Sequence, residues 1–178
     1  SSLPKTETAR SSAPASSASS ASARSSEQGK SSGGGFFALL LGGVGPRSSA
    51  AAYDRIAAWL GVPVVTLALT DPRFYHLDTC LSPIDGRRAL YFPDAFDADG
   101  RAVIEAVYPE AIAVSELEAM NMACNAHCPD GEHVLVQSGC PATEDALRAL
   151  GLQVIPVDTS EFVKSGGSIF CMKLQYWG

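Results

Sequence analysis

Apolar and polar positions alternate along the chain in a way that predicts a mixed order of strands and helices. Residues 36–41 are a short apolar run closed by Gly42, Gly43 and Gly45, which predicts a strand. Ser48 or Ser49 then caps a predicted helix reaching Leu60, with Ile56, Trp59 and Leu60 as its inward stripe and Gly61 as its stop. The β-branched run 62–69 predicts a covered strand, broken by Asp71-Pro72. Residues 74–81 and 88–92 read as two strands joined through Asp85-Gly86, a pair that tolerates the left-handed turn a hairpin needs.

Downstream the pattern repeats. A helix over 100–108 turns Val103, Ile104 and Val107 inward, and 111–114 follows as a strand. Ser115 caps a short acidic helix, with Glu118 completing a capping box. Strands are expected at 122–127 and 133–137 around Pro129-Asp130-Gly131, then a helix over 143–150 closed by Gly151, a strand at 153–157 and a last strand at 168–176. Strand, strand, helix, strand thus occurs twice with a period of roughly 50 residues. The fold class is α/β, built as a radial repeat or as a plain layered sheet.

Composition changes this picture at the N-terminus. Residues 1–35 hold thirteen Ser and six Ala, no aromatic residue and one Leu, too little apolar surface to offset the entropy of ordering, so they read as a disordered tail before a folded unit at 36–178. A Ser-rich stretch poor in acids also has the composition of an organelle transit peptide; otherwise a cytoplasmic location is expected. Thirteen Lys and Arg against nineteen Asp and Glu give a net charge of −6, the wrong sign for neutralising phosphates or an anionic membrane. No run approaches the roughly 18 apolar residues of a membrane span. Five cysteines are an odd count, too sparse for a disulfide scaffold, and so candidates for chemistry.

His76 and Asp78 lie two apart in a predicted strand, which would place both on one face. Cys171 follows Gly166-Gly167, where the chain can turn tightly and approach a ligand closely. A cysteine is nucleophilic as the thiolate, which a nearby cation favours, whether protonated His76 or a cationic substrate. Against these readings stand a structural histidine and a small buried thiol. Cys124, Cys128, His127 and His133 lack the spacing of a zinc site, Cys80 and Cys140 read as core or surface thiols, and Glu116, Glu118, Glu144 and Asp145 read as solvated helix faces.

Two blocks, Asp71-Pro72-Arg73-Phe74-Tyr75-His76-Leu77-Asp78-Thr79-Cys80 and Glu161-Phe162-Val163-Lys164-Ser165-Gly166-Gly167-Ser168-Ile169-Phe170-Cys171, resemble the signature segments of the guanidine-modifying superfamily. Its members include dimethylarginine dimethylaminohydrolase, arginine deiminase and glycine amidinotransferase. The resemblance runs from Phe36 to Leu174, about the C-terminal half of such a protein. It implies a pentein fold, an α/β propeller of five ββαβ modules around a polar channel, of which this chain can build only part. It further implies Cys171 as nucleophile, His76 as general acid and base, Asp78 as the carboxylate gripping guanidinium nitrogens, and Arg47 as the cation holding the substrate's α-carboxylate.

The implied reaction is hydrolysis of arginine or a methylated arginine to citrulline and ammonia or an amine through a covalent thiouronium, with no metal or organic cofactor. The family's orienting carboxylate for the histidine lies upstream, where this chain is Ser-rich; a truncated, inactive form is therefore one expectation, since loss of such a partner costs about 10⁴ in rate. The alternatives are an amidinotransferase and a non-catalytic remnant that binds a partner. A small guanidino compound is the expected partner, with homo-oligomers or aggregation following from any open sheet edges.

Overall fold

A computed structural model of the chain describes Ser22–Ala23 and residues 39–175. The expectations for the rest of residues 1–35, for 36–38 and for the end of the last predicted strand fall outside the described residues. The class is mixed α/β.

Three sheets follow one another, each built around a strand, a helix and a second strand parallel to the first. In the first, β2 (Leu40–Val44) leads through α1 (Ala50–Leu60) to β3 (Val64–Ala68), with the two-residue β1 (Ser22–Ala23) antiparallel to β2. In the second, β4 (Leu81–Pro83) and β5 (Ala89–Tyr91) form the hairpin expected at Asp85-Gly86, and α2 (Ala98–Val107) returns the chain to β6 (Ile112–Ala113) beside β5. The third pairs β7 (His133–Gln137) with β8 (Gln153–Val157) across α4 (Pro141–Ala149). The ββαβ order read from the sequence is thus realised in the second sheet and nearly so in the third, where one antiparallel bridge from His127 to Leu135 stands in for the first strand. The short α3 (Glu116–Met120) links the second sheet to the third.

One core runs through all three, from Leu41 and Leu67 through Leu81, Leu90 and Ile104 to Val134, Val136 and Leu147. As predicted, Ile104 faces inward with Val103 and Val107 packed against the core. The predicted stripe of α1 forms only in part: Ile56 is half-buried, but Trp59 is 83% exposed and Leu60 49%, whereas Tyr53 is 2% exposed. The reason lies in β2. Gly42 leaves a gap that the Tyr53 ring fills so closely that a Cβ there would sit 2.5 Å from it, and the Tyr53 hydroxyl donates to the Gly43 carbonyl at 3.1 Å. That contact sets the helix's rotation, and Trp59 turns outward with it.

Three predicted strands are absent. Residues 74–80 form an extended turn and a short 3-10 helix (Leu77–Thr79), because the His76 carbonyl accepts both the Thr79 amide at 3.1 Å and the Thr79 hydroxyl at 2.6 Å, local bonds that compete with a ladder. Residues 122–126 are a chain of turns entered through Met122 at φ +62, and Ile169–Met172 is a single helical turn, α6, preceded by the four-residue α5 (Ser160–Val163). Glu118 also departs from expectation. Ser115 caps α3 through its hydroxyl, but the Glu118 carboxylate is 5% exposed and turns to α4, accepting from the Ala142 and Thr143 amides at 2.8 Å each and the Thr143 hydroxyl at 2.6 Å. The N-terminus of a helix with Pro141 in its first turn offers a buried carboxylate more than water does.

Candidate active site

Phe74 and Leu77 are buried, the first with its ring 5.0 Å from that of Phe92, and these two anchors hold Tyr75 and His76 between them at the rim of an open pocket of about 540 Å³. Asp78, in the 3-10 helix, lines the same pocket. His76 and Asp78 therefore share a site, though not by strand alternation.

The second wall is the segment 165–173. Gly166 takes φ +87, a conformation that suits glycine, and its carbonyl accepts the Tyr75 hydroxyl, which closes one signature block onto the other. Beyond it Ser168 is buried against Thr159, their hydroxyls 2.6 Å apart, and Gln137 accepts the Thr159 amide at 2.9 Å. With Ser168 and Ile169 buried, α6 presents Cys171 on its exposed side to the pocket. Arg47, from the turn between β2 and α1, and Lys173 complete the charged lining. The pocket thus gathers Cys171, His76, Asp78 and Arg47, including two groups 93 positions apart in sequence.

The Cys171 thiol donates to Asp78 Oδ2 at 3.4 Å and accepts from Asn125 Nδ2 at 3.3 Å. Partial burial, and then the Asp78 charge, push the thiol above its ordinary range, while the bonds from Asn125 and the Ser168 amide pull it down. The resting sulfur is a thiol whose ionisation improves when a cation meets Asp78. Tyr75 is likewise pushed up by burial and by the thiol and carboxylate, with Arg47 opposing. Burial lowers Lys173, whose ammonium sits 3.7 Å from the Phe170 ring centroid, and Asp78 partly restores it. Among the described residues no hydrogen-bond partner meets the His76 ring; its neighbour is the Tyr75 ring, edge-on at 4.9 Å.

Asn125, Tyr75 and Lys173 belong to the site and were not singled out from sequence. Asn125 lay in a stretch expected to be a strand; the available signal was an amide side chain in a run of small, otherwise apolar residues. Three of the other four cysteines fall into place as inert thiols. Cys80, Cys124 and Cys140 are buried, and burial pushes all three upward, Cys140 to about 11.

The arrangement brings a soft nucleophile and an imidazole beside one carboxylate and two cations. A planar cation with an anionic far end matches that charge layout.

No protein-family model matches the chain. It is 40% identical over 136 residues to the N(G),N(G)-dimethylarginine dimethylaminohydrolase of Mycobacterium tuberculosis, covering 76% of this chain and 45% of that protein. It is 40% identical over 138 residues to the bifunctional arginine dihydrolase/ornithine cyclodeaminase ArgZ of Synechocystis, covering 76% of this chain and 19% of that one. The crystal structure of the N-terminal domain of ArgZ bound to product superimposes with a TM-score of 0.72 over 76% of this chain and 50% of that chain. SxtG, an amidinotransferase from Microseira wollei, shares the fold with a TM-score of 0.66 at 17% identity, over 75% of this chain and 42% of its own. The chain spans half or less of the length of each of these proteins.

Proposed function

Because the chain belongs to the guanidine-modifying (pentein) superfamily over about three quarters of its length, we propose that it is a cysteine-dependent hydrolase of arginine or a methylated arginine. The observation that carries this is the contact of Cys171 Sγ with Asp78 Oδ2 at 3.4 Å in a pocket also lined by His76 and Arg47. In this reading the three sheets are ββαβ modules of an α/β propeller whose axis carries the pocket.

A guanidinium carbon is a poor electrophile because resonance spreads its charge, so the reaction needs a strong, soft nucleophile and a carboxylate that fixes the planar cation. Asp78 accepts the guanidinium N–H groups and Arg47 holds the carboxylate end. Burial is the larger cause that keeps the thiol protonated and the Asp78 charge the next, so neutralising Asp78 removes part of that push and substrate binding itself promotes the thiolate. The thiol proton passes to His76 as the sulfur bonds to the guanidinium carbon. His76 returns that proton to the leaving nitrogen as the C–N bond breaks, releasing ammonia or an amine and leaving a thiouronium on Cys171. Water then adds to the same carbon while His76 takes its proton. The C–S bond breaks, the added hydroxyl gives its proton to solvent or to the released ammonia or amine as the carbonyl forms, citrulline leaves, and the proton on His76 restores the thiol.

Hydrolysis is favoured over amidino transfer because the relatives near 40% identity carry hydrolase names, whereas the amidinotransferase likeness at 17% speaks only to the fold. A 2-haloacetamidine, which mimics the guanidinium and alkylates sulfur, tests the reading. Cys171 is expected to label faster than Cys128, arginine to protect it, and Cys171→Ser to abolish citrulline formation. Labelling of Cys171 that matches Cys128 and ignores arginine would overturn the proposal and favour a non-catalytic binding scaffold.

A further inference from the structure

Asn125 has no exposed surface, yet its carboxamide reaches both Asp78 and Cys171. Nδ2 donates to the Asp78 backbone carbonyl at 2.7 Å and to Cys171 Sγ at 3.3 Å. Oδ1 accepts from the Ser168 amide at 3.0 Å and the Cys171 amide at 3.3 Å. The Asn125 backbone carbonyl takes a further amide, that of Phe170, at 3.0 Å. A carboxamide offers two donors on one atom and two acceptor directions on the other, and here all four are used. The turn that delivers it passes through Met122 at φ +62, a left-handed conformation a non-glycine residue adopts at a cost of order 1 kcal/mol.

We propose that Asn125 holds the Cys171 thiolate: its N–H stays on the sulfur when the proton leaves, while the rest of the carboxamide clamps Cys171 to Asp78 so that nucleophile and guanidinium-binding carboxylate keep one spacing. An asparagine serving only to tie loops would need its bonds to Asp78, Ser168 and the Cys171 amide and no bond to sulfur. The bond to Sγ couples it to reactivity, because a donor favours the charged form and opposes the upward push from Asp78. The inference rests on Cys171 being the nucleophile.

The test is the pH profile of Cys171 alkylation by iodoacetamide in the full chain, followed by peptide mass spectrometry; the reagent is uncharged, so Asp78 does not steer it. Asn125→Ala removes the donor, and Asn125→Asp removes it and adds a charge. The midpoint is expected to rise by about one pH unit or more in either variant, the size of one hydrogen bond to a charged group. A folded variant whose midpoint moves by less than about 0.3 pH unit overturns the proposal. Should both variants lose their native circular dichroism, the unmutated chain decides. The Asn125 side-chain amide proton must then shift in an NMR titration with the same midpoint as Cys171 alkylation, and a proton indifferent to that titration overturns the proposal. Neither readout requires turnover. A shifted midpoint in a chain that makes no citrulline refutes the hydrolase reading and keeps this one, and an unshifted midpoint in an active chain does the reverse.

Discussion

Replacing Asp78 by Asn separates the two jobs assigned to this carboxylate, and it moves reactivity and turnover in opposite directions. The thiol of Cys171 lies 3.4 Å from Oδ2. Two unit charges about 4 Å apart repel by about 1 kcal/mol in water and about 4 kcal/mol at the effective dielectric of a protein surface. Cys171 is exposed to an open pocket, so the lower end applies, and about one pH unit is expected. The sign follows directly: a carboxylate disfavours the neighbouring thiolate, so its removal lowers the thiol midpoint, and an Asn amide that donates to sulfur adds to the same direction. A less basic thiolate is a weaker nucleophile, with a Brønsted slope of about 0.4–0.5, so iodoacetamide labelling at neutral pH rises only about three- to fourfold for a tenfold gain in thiolate. On the proposed function hydrolysis moves the other way, since the guanidinium loses its charged acceptor; with a charge-assisted bond at about 1.5–3 kcal/mol, kcat/KM is expected to fall by about 10- to 150-fold. The assay pairs a labelling pH profile with citrulline release on the same preparation. An Asp78→Asn chain whose labelling midpoint stays or rises would refute the electrostatic account of the site.

Glu118→Ala removes the acceptor for two amides and a hydroxyl at the start of α4, leaving the buried Thr143 amide unpaired, so unfolding in urea is expected to show a loss of about 3 kcal/mol; a loss under about 0.5 kcal/mol would mean that water replaces the carboxylate. Trp59→Ala, at a position 83% exposed, is expected to change stability by less than about 0.5 kcal/mol in the same assay, and a core-sized loss would restore the stripe expected from sequence. Gly166→Ala sets a Cβ against the Tyr75 hydroxyl at a φ of +87, so the junction between the two signature blocks must open. Arginine protection of Cys171 is expected to be lost while the thermal midpoint changes by no more than a few degrees, about what 1 kcal/mol moves it, and intact protection would show that the junction does not shape the pocket.

Much of this protein was legible in the order of its residues. The Asp85-Gly86 hairpin, α2 with Ile104 inward, the Gly61 and Gly151 helix stops and β8 all follow from local rules of turn chemistry and periodicity, which act within a few residues. The two signature blocks name Cys171 and His76 because their residue types and order are distinctive even when their backbone conformation is misjudged. The strands expected at 74–81, 122–127 and 168–176 are missing from the described residues for two reasons: at 74–80 the His76 carbonyl takes the Thr79 amide and hydroxyl locally, while at 122–126 and 168–172 the Asn125 side chain ties the turns to Asp78, Ser168 and Cys171. Asn125 illustrates this, since its donors and acceptors are satisfied by residues 43 to 47 positions away.

Local chemistry along the chain determined the Asp85-Gly86 hairpin, α2 and the helix stops, and set His76, Asp78 and Cys171 in two distinctive blocks. Long-range packing decided the rest: that Tyr53 and not Trp59 faces the sheet, that Glu118 is a buried cap for a distant helix, and that a carboxylate and an amide meet one sulfur. The division is physical. Propensity and turn chemistry are energies of neighbours in sequence, while the rotation of a helix or the partner of a buried polar group depends on the shape of a surface that exists only once the chain has folded.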